Sequence, residues 1–383
     1  MTYKAFQDWY HEASIKHLLL YEDNGYLVSP PFATEKCKEY NRVLYWQQAH
    51  HFYIDLDLPA ATSKTNAVVK VDSSLWLIPY GIYDEFDVVV QLKDFVPVYH
   101  KTGKKGKGQF YSACSNGEAA FSFPLGYEGT NHCLHIRDNI LTTVEFDKTH
   151  HTKLHMGCVY ANGKFWSMPR GDTEGYINIV SFDGYKVDTY PIKDIDPDIT
   201  RKYTDAIVKD NVLYTLPYGE VSGLNDVVEF NTDDHTIKFY PINGPDFAKK
   251  YNAMVMLDEK IIGVPYGDEY CQDSNLGIVF DTVTKEISQF DIGIYFGGKY
   301  RYRCGIAYKG FAFFFPAGTP SCPILKISKD GEVLDAIYLD NKLVGRPVLY
   351  NNQIFIMSYN ITDQSHSILS FDQELNYKEE FIL

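Results

Sequence analysis

A proline-centred phrase recurs along this chain at nearly constant spacing. It reads "LWLIPYG" around Pro79, "VLYTLPYG" around Pro217 and "KIIGVPYG" around Pro265. Related phrases centre on Pro31, Pro124, Pro169 and Pro316, and an eighth copy, "QIFIMSYN", has Ser358 in place of the proline. Successive spacings are 48, 45, 45, 48, 48, 51 and 42 residues. A chain with this period must pack copies of one supersecondary unit against each other.

Each unit contains four short segments with strand character. In the unit that surrounds Pro217 they are "DAIVK" at 205–209, "VLYTLP" at 212–217, "DVVEFN" at 226–231 and "HTIKFYPI" at 235–242. Turn sequences such as "DN" and "TDD" separate them. The proline falls at the end of the second strand, where no ladder hydrogen bond is lost, and the glycine two residues later permits a turn. The repeated phrase is therefore interpreted as structural.

Four-stranded units of this length, without helical periodicity, resemble the blades of a β-propeller. The predicted fold is all-β, a single β-propeller of eight four-stranded blades. The first unit, with "HLLLY", "GYLVSP", "RVLYWQ" and "HFYIDLDL" as its strands, fits the same template, and discounting it leaves seven blades. The last unit carries its own fourth strand, so the ring is predicted to close without a strand shared by the first and last blades. Residues 5–15 have helical spacing and are predicted to form a short cap or latch.

The predicted organisation is an N-terminal helical segment over 1–15 followed by a propeller over 16–383. The predicted blades cover approximately 16–59, 60–105, 106–150, 151–196, 197–245, 246–297, 298–340 and 341–383. The resemblance is to an architecture, because the units lack the Trp-Asp ending of the WD40 class and the Gly-Gly pair of kelch blades. An architecture alone does not determine function.

Composition excludes several classes of partner. The formal net charge is −14, from 50 acidic and 36 basic residues. Such a charge repels phosphate backbones, so we expect neither nucleic acid nor membrane as a partner. No apolar run reaches the length of a membrane span and no signal peptide is visible, so a soluble, cytoplasmic protein is predicted. Seven cysteines without CxxC spacing predict reduced thiols, and neither a metal nor a cofactor is expected.

Comparison of the units gives two sets of candidate site residues. The channel-mouth set lies 12 to 14 residues before each anchor, where the innermost strand begins, and comprises His17, Asn66, Tyr111, His155, Asp205, Asn252, Arg303 and Arg346. The post-proline set follows the anchors and comprises Tyr80, Arg170, Tyr218, Tyr266 and Tyr359. Polar groups in a ring can bind a polar or anionic ligand through charge-assisted hydrogen bonds. They can equally hydrogen-bond neighbouring blades and water.

Basic and aromatic residues also alternate before the inner strands, in "KYT" at 202–204, "KYN" at 250–252 and "RYR" at 301–303. This pattern favours an anionic or hydroxyl-rich ligand.

Three functions remain open. The first is a ligand-binding propeller that recognises a polar, anionic or hydroxyl-rich ligand, a sugar or a peptide, through ten residues: Asn66, Tyr80, His155, Arg170, Asp205, Tyr218, Asn252, Tyr266, Arg303 and Arg346. The second is a carbohydrate-active enzyme in the same funnel. A lyase could use His155, Tyr218 and Arg303, and a hydrolase could use acidic pairs such as Asp84-Glu85 and Asp268-Glu269. The third is a scaffold for another protein, which predicts an exposed apolar patch away from the channel.

Overall fold

A computed structural model describes residues 13–48, 50–81, 86–104, 106, 108–125, 132–146, 154–171, 176–219, 223–244, 250–266, 275–293, 301–316 and 322–383. These residues form eight antiparallel sheets, each built from consecutive strands. No helix in these ranges has the length and apolar character needed to cross a membrane.

Blades 1 to 4 contain the following strands. Blade 1 has β1 (Tyr21–Asp23), β2 (Tyr26–Ser29), β3 (Arg42–Gln47) and β4 (His50–Asp55). Blade 2 has β5 (Thr65–Val71), β6 (Ser74–Pro79), β7 (Val88–Lys93) and β8 (Val96–Lys101). Blade 3 has β9 (Cys114–Ser115), β10 (Ala119–Ser122), β11 (His132–Arg137) and β12 (Ile140–Glu145). Blade 4 has β13 (Val159–Ala161), β14 (Lys164–Ser167), β15 (Asn178–Phe182) and β16 (Val187–Pro191).

Blades 5 to 8 continue the pattern. Blade 5 has β17 (Ile207–Lys209), β18 (Val212–Thr215), β19 (Asp226–Asn231) and β20 (Ile237–Pro241). Blade 6 has β21 (Tyr251–Leu257), β22 (Lys260–Pro265), β23 (Leu276–Asp281) and β24 (Ile287–Asp291). Blade 7 has β25 (Tyr302–Tyr308), β26 (Phe311–Pro316), β27 (Ile324–Ile327) and β28 (Val333–Ile337). Blade 8 has β29 (Lys342–Val344), β30 (Val348–Tyr350), β31 (Gln353–Asn360), β32 (His366–Phe371) and β33 (Tyr377–Ile382). A 3-10 helix (Glu35–Cys37) lies between β2 and β3.

Apolar side chains fill the space between neighbouring blades. The middle strands are buried on both faces, as in β26 and β32, and they therefore read as continuous apolar runs. The fourth strands, such as β8, lie at the outside and are largely exposed. Among the described residues each pair of adjacent blades encloses its own hydrophobic cluster. The ring of eight blades predicted from the repeat is confirmed.

The ring closes between the last blade and the first. A hydrophobic cluster joins Leu44 and Trp46 of blade 1 to Phe355 and Ile368 of blade 8. The ring centroids of Trp46 and Phe355 are 5.8 Å apart. Blade 8 supplies its own outer strand, β33, so no strand is shared, as the sequence predicted. The first unit is a full blade, which rules out the seven-blade alternative.

Two local predictions were wrong. The innermost strand of blade 1 begins at Tyr21 and not at His17. The innermost strand of blade 8 is divided, because β29 and β30 pair with opposite halves of β31. Of the helix predicted over 5–15, residues 5–12 lie outside the described ranges. Residues 13–15 are not helical, and the Ile15 carbonyl accepts a 3.0 Å hydrogen bond from the Thr34 N–H.

The recurring proline phrase builds a belt of backbone hydrogen bonds around the ring. The Tyr218 N–H donates to the Lys202 carbonyl at 2.9 Å, and the Tyr218 carbonyl accepts from the Lys250 N–H at 2.8 Å. Equivalent bonds link successive blades from Lys16 to Arg301. The glycine of the phrase has a positive φ where it is described, as at Gly219 (60°), which explains why the unit requires it. Each described residue after an anchor proline thus bridges two blades.

Candidate functional site at the channel mouth

Along the sequence, the channel-mouth residues lie one to three positions after the residues that form the backbone belt. β-bulges change the direction of three of them. Register shifts occur between Thr65 and Ala67, between Tyr251 and Ala253, and between Tyr302 and Cys304. The bulges place an extra residue at the start of the innermost strand, namely Asn66, Asn252 and Arg303. Bulges of this kind change the direction of a side chain and are frequent beside functional sites.

Five members of the channel-mouth set line one cavity of about 200 Å³. These are Tyr111, Asp205, Asn252, Arg303 and Arg346. The remaining wall is formed by Ser112, Met156, Thr204, Ala206, Ile207, Ala253, Met254, Cys304 and Gly305. At ~30 Å³ for each water in the liquid, the cavity has room for about seven water-sized groups. The described wall comes from blades 3 to 8.

Two guanidinium groups meet on one aromatic ring. The Arg303 and Arg346 guanidinium carbons lie 5.4 and 5.3 Å from the Tyr111 ring centroid. Neither arginine forms an ion pair with a described carboxylate. Burial alone would raise the pKa of Tyr111, but Arg303, Arg346 and Arg170 together lower it below its ordinary value. The cavity therefore concentrates positive charge around a phenol.

Asp205 is the carboxylate that lines the described part of this cavity. Its Oδ1 accepts a 2.8 Å hydrogen bond from the Ala206 N–H. Desolvation by the surrounding blades raises the pKa of Asp205 to about 6, although the Ala206 N–H and Arg346 favour the charged form. Gly157 of the neighbouring blade makes room for this side chain, because a Cβ at that position would overlap Asp205 Oδ1.

The post-proline residues Tyr80, Arg170, Tyr218 and Tyr266 are buried around the cavity. Tyr80 packs edge-on against Tyr111 with 5.7 Å between ring centroids, and Tyr218 lies 5.8 Å from Tyr266. The phenols of Tyr111, Tyr266, Tyr80 and Tyr218 lie close enough to Arg303 to raise its pKa. These tyrosines form a supporting layer behind the arginines.

Other candidates from the sequence are used within the ring itself. Asn66 Nδ2 donates to the Tyr111 carbonyl at 2.7 Å. His155 is buried, with Nδ1 3.0 Å from the Met168 carbonyl oxygen and Nε2 2.6 Å from the Tyr176 hydroxyl. Burial lowers the pKa of His155 to about 3, so the ring is neutral at pH 7. His17 has a similar environment, and Tyr359 packs in a separate cluster with Ile15, Phe32 and Leu343.

The first residue of each of the segments "KYT", "KYN" and "RYR" is not part of the cavity wall, whereas Arg303, the last residue of "RYR", lines it. Lys202, Lys250 and Arg301 are buried. The Lys202 amine donates to the carbonyl of Ile199, and Arg301 donates to Asn275 Oδ1 at 3.0 Å. These segments therefore contribute one cation, Arg303, to the cavity, and their role toward a ligand stays a prediction.

Sequence reasoning missed Met156, Met254 and Cys304, which lie one or two residues after channel-mouth positions. If side chains alternated strictly along the inner strands, some of these would point away from the cavity. A bulge in a strand has no clear sequence signature. The acidic pairs Asp84-Glu85 and Asp268-Glu269 lie outside the described ranges. Within those ranges no group of three or more His, Cys, Asp or Glu residues is arranged to hold a metal ion.

No protein-family model and no curated protein matches this chain. Among solved structures, apo AztD from Citrobacter koseri is similar, with a TM-score of 0.52 and 9% identity over 84% of this chain and 86% of that chain. The WD40 β-propeller domain of Doa1 gives a TM-score of 0.49 and 12% identity over 95% of each chain. The likeness to AztD, at this identity, concerns the fold alone. The chain is an eight-bladed β-propeller with a cationic cavity at its channel mouth.

Proposed function

We propose that this protein binds a small carboxylate-bearing ligand in the channel-mouth cavity. The observation that carries the proposal is the pair Arg303 and Arg346, which share one cavity with a single described carboxylate, Asp205. Two like charges held close together repel each other, and a bound anion offsets that repulsion. A carboxylate supplies that charge and accepts paired hydrogen bonds from guanidinium groups.

The contrast with the rest of the molecule supports this proposal. The formal net charge of the chain is −14, whereas the described cavity wall carries two arginines and one aspartate. A positive site within low-dielectric walls attracts anions even when the whole protein is acidic. Asp205 and Asn252 add hydrogen-bonding groups that suit a hydroxyl or amine elsewhere on the ligand.

The size of the cavity limits the ligand. A volume of about 200 Å³ is below the range of about 300–1,000 Å³ typical of drug-sized sites. A small hydroxy acid, a sugar acid or the carboxylate end of a peptide fits these limits. A longer oligosaccharide or peptide would extend beyond the cavity.

The enzymatic alternatives have less support. Glycoside hydrolysis generally requires two carboxyl groups across the scissile bond, and Asp205 is the one carboxyl on the described cavity wall. The lyase trio of His155, Tyr218 and Arg303 does not converge, since both nitrogens of His155 already have partners and neither His155 nor Tyr218 lines the cavity.

A scaffold role is the second candidate, because blade 2 exposes an apolar patch away from the channel mouth. Phe95, in the turn before the outer strand β8, is 45% exposed, and Val96, Val98 and Tyr99 of β8 are 60%, 44% and 38% exposed. Crosslinking in cell extract to the wild type and to a Val96→Asp/Val98→Asp variant tests this role. A specific partner lost in the variant supports it, and identical crosslinks in both proteins would remove it.

Thermal-shift screening tests the ligand proposal. We would compare small hydroxy acids, sugar acids, short peptides and neutral sugars on wild type and on Arg303→Gln/Arg346→Gln. The control is Arg42→Gln/Arg137→Gln, which removes two exposed arginines. We expect a carboxylate to stabilise wild type and the control but not the channel variant. Equal stabilisation of all three, or of none, contradicts the proposal.

A further inference from the structure

Two cysteines of neighbouring blades lie in contact beside the channel. The Sγ atoms of Cys114 in β9 and Cys158 just before β13 are 3.0 Å apart. Both are free thiols in this structure. A disulfide has an S–S distance of about 2.05 Å, so an approach of about 1 Å would join them. Among the described cysteines no other pair is within hydrogen-bonding distance.

We propose that Cys114 and Cys158 form a disulfide that ties blade 3 to blade 4 when the protein meets an oxidising small-molecule disulfide. The inference is independent of the proposed ligand, because it rests on the sulfur contact alone. It differs from the expectation of uniformly reduced thiols, which relied on cysteine spacing in the sequence. Sequence spacing could not show the contact, since the two residues are 44 positions apart and meet only through adjacent blades.

The surroundings of the two thiols indicate which one reacts first with the oxidant. Cys114 is half-buried, whereas Cys158 is buried and its thiol donates to the Phe121 carbonyl at 3.4 Å. Cys114 is therefore the sulfur that a reagent from solvent reaches first. Burial, together with Cys158, raises the pKa of Cys114 well above its ordinary value. Little thiolate is present at neutral pH, so the reaction is slow there and faster in mild alkali.

The reaction is thiol–disulfide exchange with glutathione disulfide as the oxidant. Cys114 loses its proton, its thiolate attacks one glutathione sulfur, and one glutathione thiolate leaves. Cys158 then loses its proton and attacks the Cys114 sulfur of the mixed disulfide, which releases the second glutathione thiolate. The two protons end on the two glutathione molecules. The protein loses two electrons and the glutathione disulfide gains them.

The crosslink would fix two walls of the cavity relative to each other. Ser112 and Met156 line the cavity, and each lies two residues before one of the cysteines. Joining residues 114 and 158 also closes a long loop, which restricts the unfolded chain and stabilises the folded ring. Oxidation is therefore expected to raise the melting temperature by a few degrees.

Intact-mass analysis and peptide mapping test the proposal. Wild type is equilibrated at pH 8.5 in glutathione buffers from fully reduced to fully oxidised, until two incubation times give the same result. We expect a loss of about 2 Da and a peptide that joins Cys114 to Cys158, both reversed by excess reduced glutathione. The variants Cys114→Ser and Cys158→Ser should lack the crosslink, whereas Cys304→Ser, at a half-buried thiol of the cavity wall, should retain it.

Two outcomes would overturn the proposal. One is complete alkylation of both cysteines after denaturation of fully oxidised wild type. The other is a crosslink of Cys158 to Cys133, a buried thiol that lies close enough to interact with it electrostatically. Loss of folding in a serine variant would not decide the matter, because the wild-type peptide map alone separates these results.

Discussion

The backbone N–H of Lys16 donates a 2.9 Å hydrogen bond to Nε2 of His366. The two residues are 350 positions apart in the chain, and their contact joins the segment before blade 1 to blade 8. The bond requires an unprotonated Nε2. Burial, with the nearby charge of Lys16, lowers the pKa of His366 to about 4. A neutral histidine thus helps to close the ring.

Acid is therefore expected to weaken the folded ring. The pKa of His366 is lowered from 6.5 to about 4, so between these values the unfolded chain binds more protons than the folded one. The contribution of His366 to the free energy of unfolding is fully present above pH 6.5. It falls as the pH drops toward 4, by up to about 3 kcal/mol for this buried group. His366→Gln keeps an acceptor and does not titrate, so it should reduce this dependence, while His17 and His155, whose pKa values burial also lowers, retain their share. Urea unfolding at pH 7.5 and pH 5 measures it, and an unchanged pH dependence in the variant would refute the role of His366.

Ring closure also requires that one residue, Gly345, has no side chain. Gly345 lies between β29 and β30, its N–H donates to the Met357 carbonyl at 2.9 Å, and a Cβ there would overlap the Leu18 carbonyl oxygen. The obstacle is backbone and cannot rotate away, so Gly345→Ala should cost about 1–3 kcal/mol. Leu349→Ala, a change at an exposed neighbour in β30, is the control. Thermal unfolding that is the same for Gly345→Ala and wild type would contradict this account of closure.

The repeat in the sequence predicted the fold in detail, because each blade is specified locally by apolar runs and turn residues. Strands β3 and β19 begin and end at the predicted residues. The divided inner strand of blade 8 was missed, since β29 forms through contact with β31 and not through a pattern of its own.

The site was predicted only in part for a related reason. The position before each inner strand grouped Asp205, Arg303 and Arg346, and these three residues line one cavity. The same position in blade 4 holds His155, which turns toward Tyr176 and Met168 within the ring. Register places a residue near the channel mouth, but local packing determines which way its side chain points. Composition could not show that Lys202, Lys250 and Arg301 are buried, because a buried lysine that caps carbonyl oxygens resembles a ligand-binding one in sequence.

Asp205 is expected to reduce stability at neutral pH. Its pKa is raised from 3.8 to about 6, mainly by desolvation, so the folded protein binds more protons than the unfolded chain between these values. Stability therefore decreases as the pH rises from 4 to 6 and stays reduced above that range. Asp205→Asn should melt at a higher temperature than wild type at pH 7.5 and at the same temperature near pH 4. Because Asp205 is open to channel water, the gain is smaller than full burial would give.

If the melting temperatures of wild type and Asp205→Asn depended on pH in the same way, Asp205 would not titrate as described. A variant that gains stability and also loses ligand binding would support a functional reason for keeping a costly carboxylate in the cavity.

Calorimetric titration of a small carboxylate into wild type and into Arg303→Gln/Arg346→Gln tests the central claim most directly. We would use the best stabiliser from the thermal screen, or a three-carbon hydroxy acid if several are equal. The account predicts one site per chain in wild type, affinity that falls as salt concentration rises, and binding weakened at least tenfold in the double variant. Saturable binding of equal affinity in both proteins, or no saturable binding of any carboxylate to wild type, would contradict it.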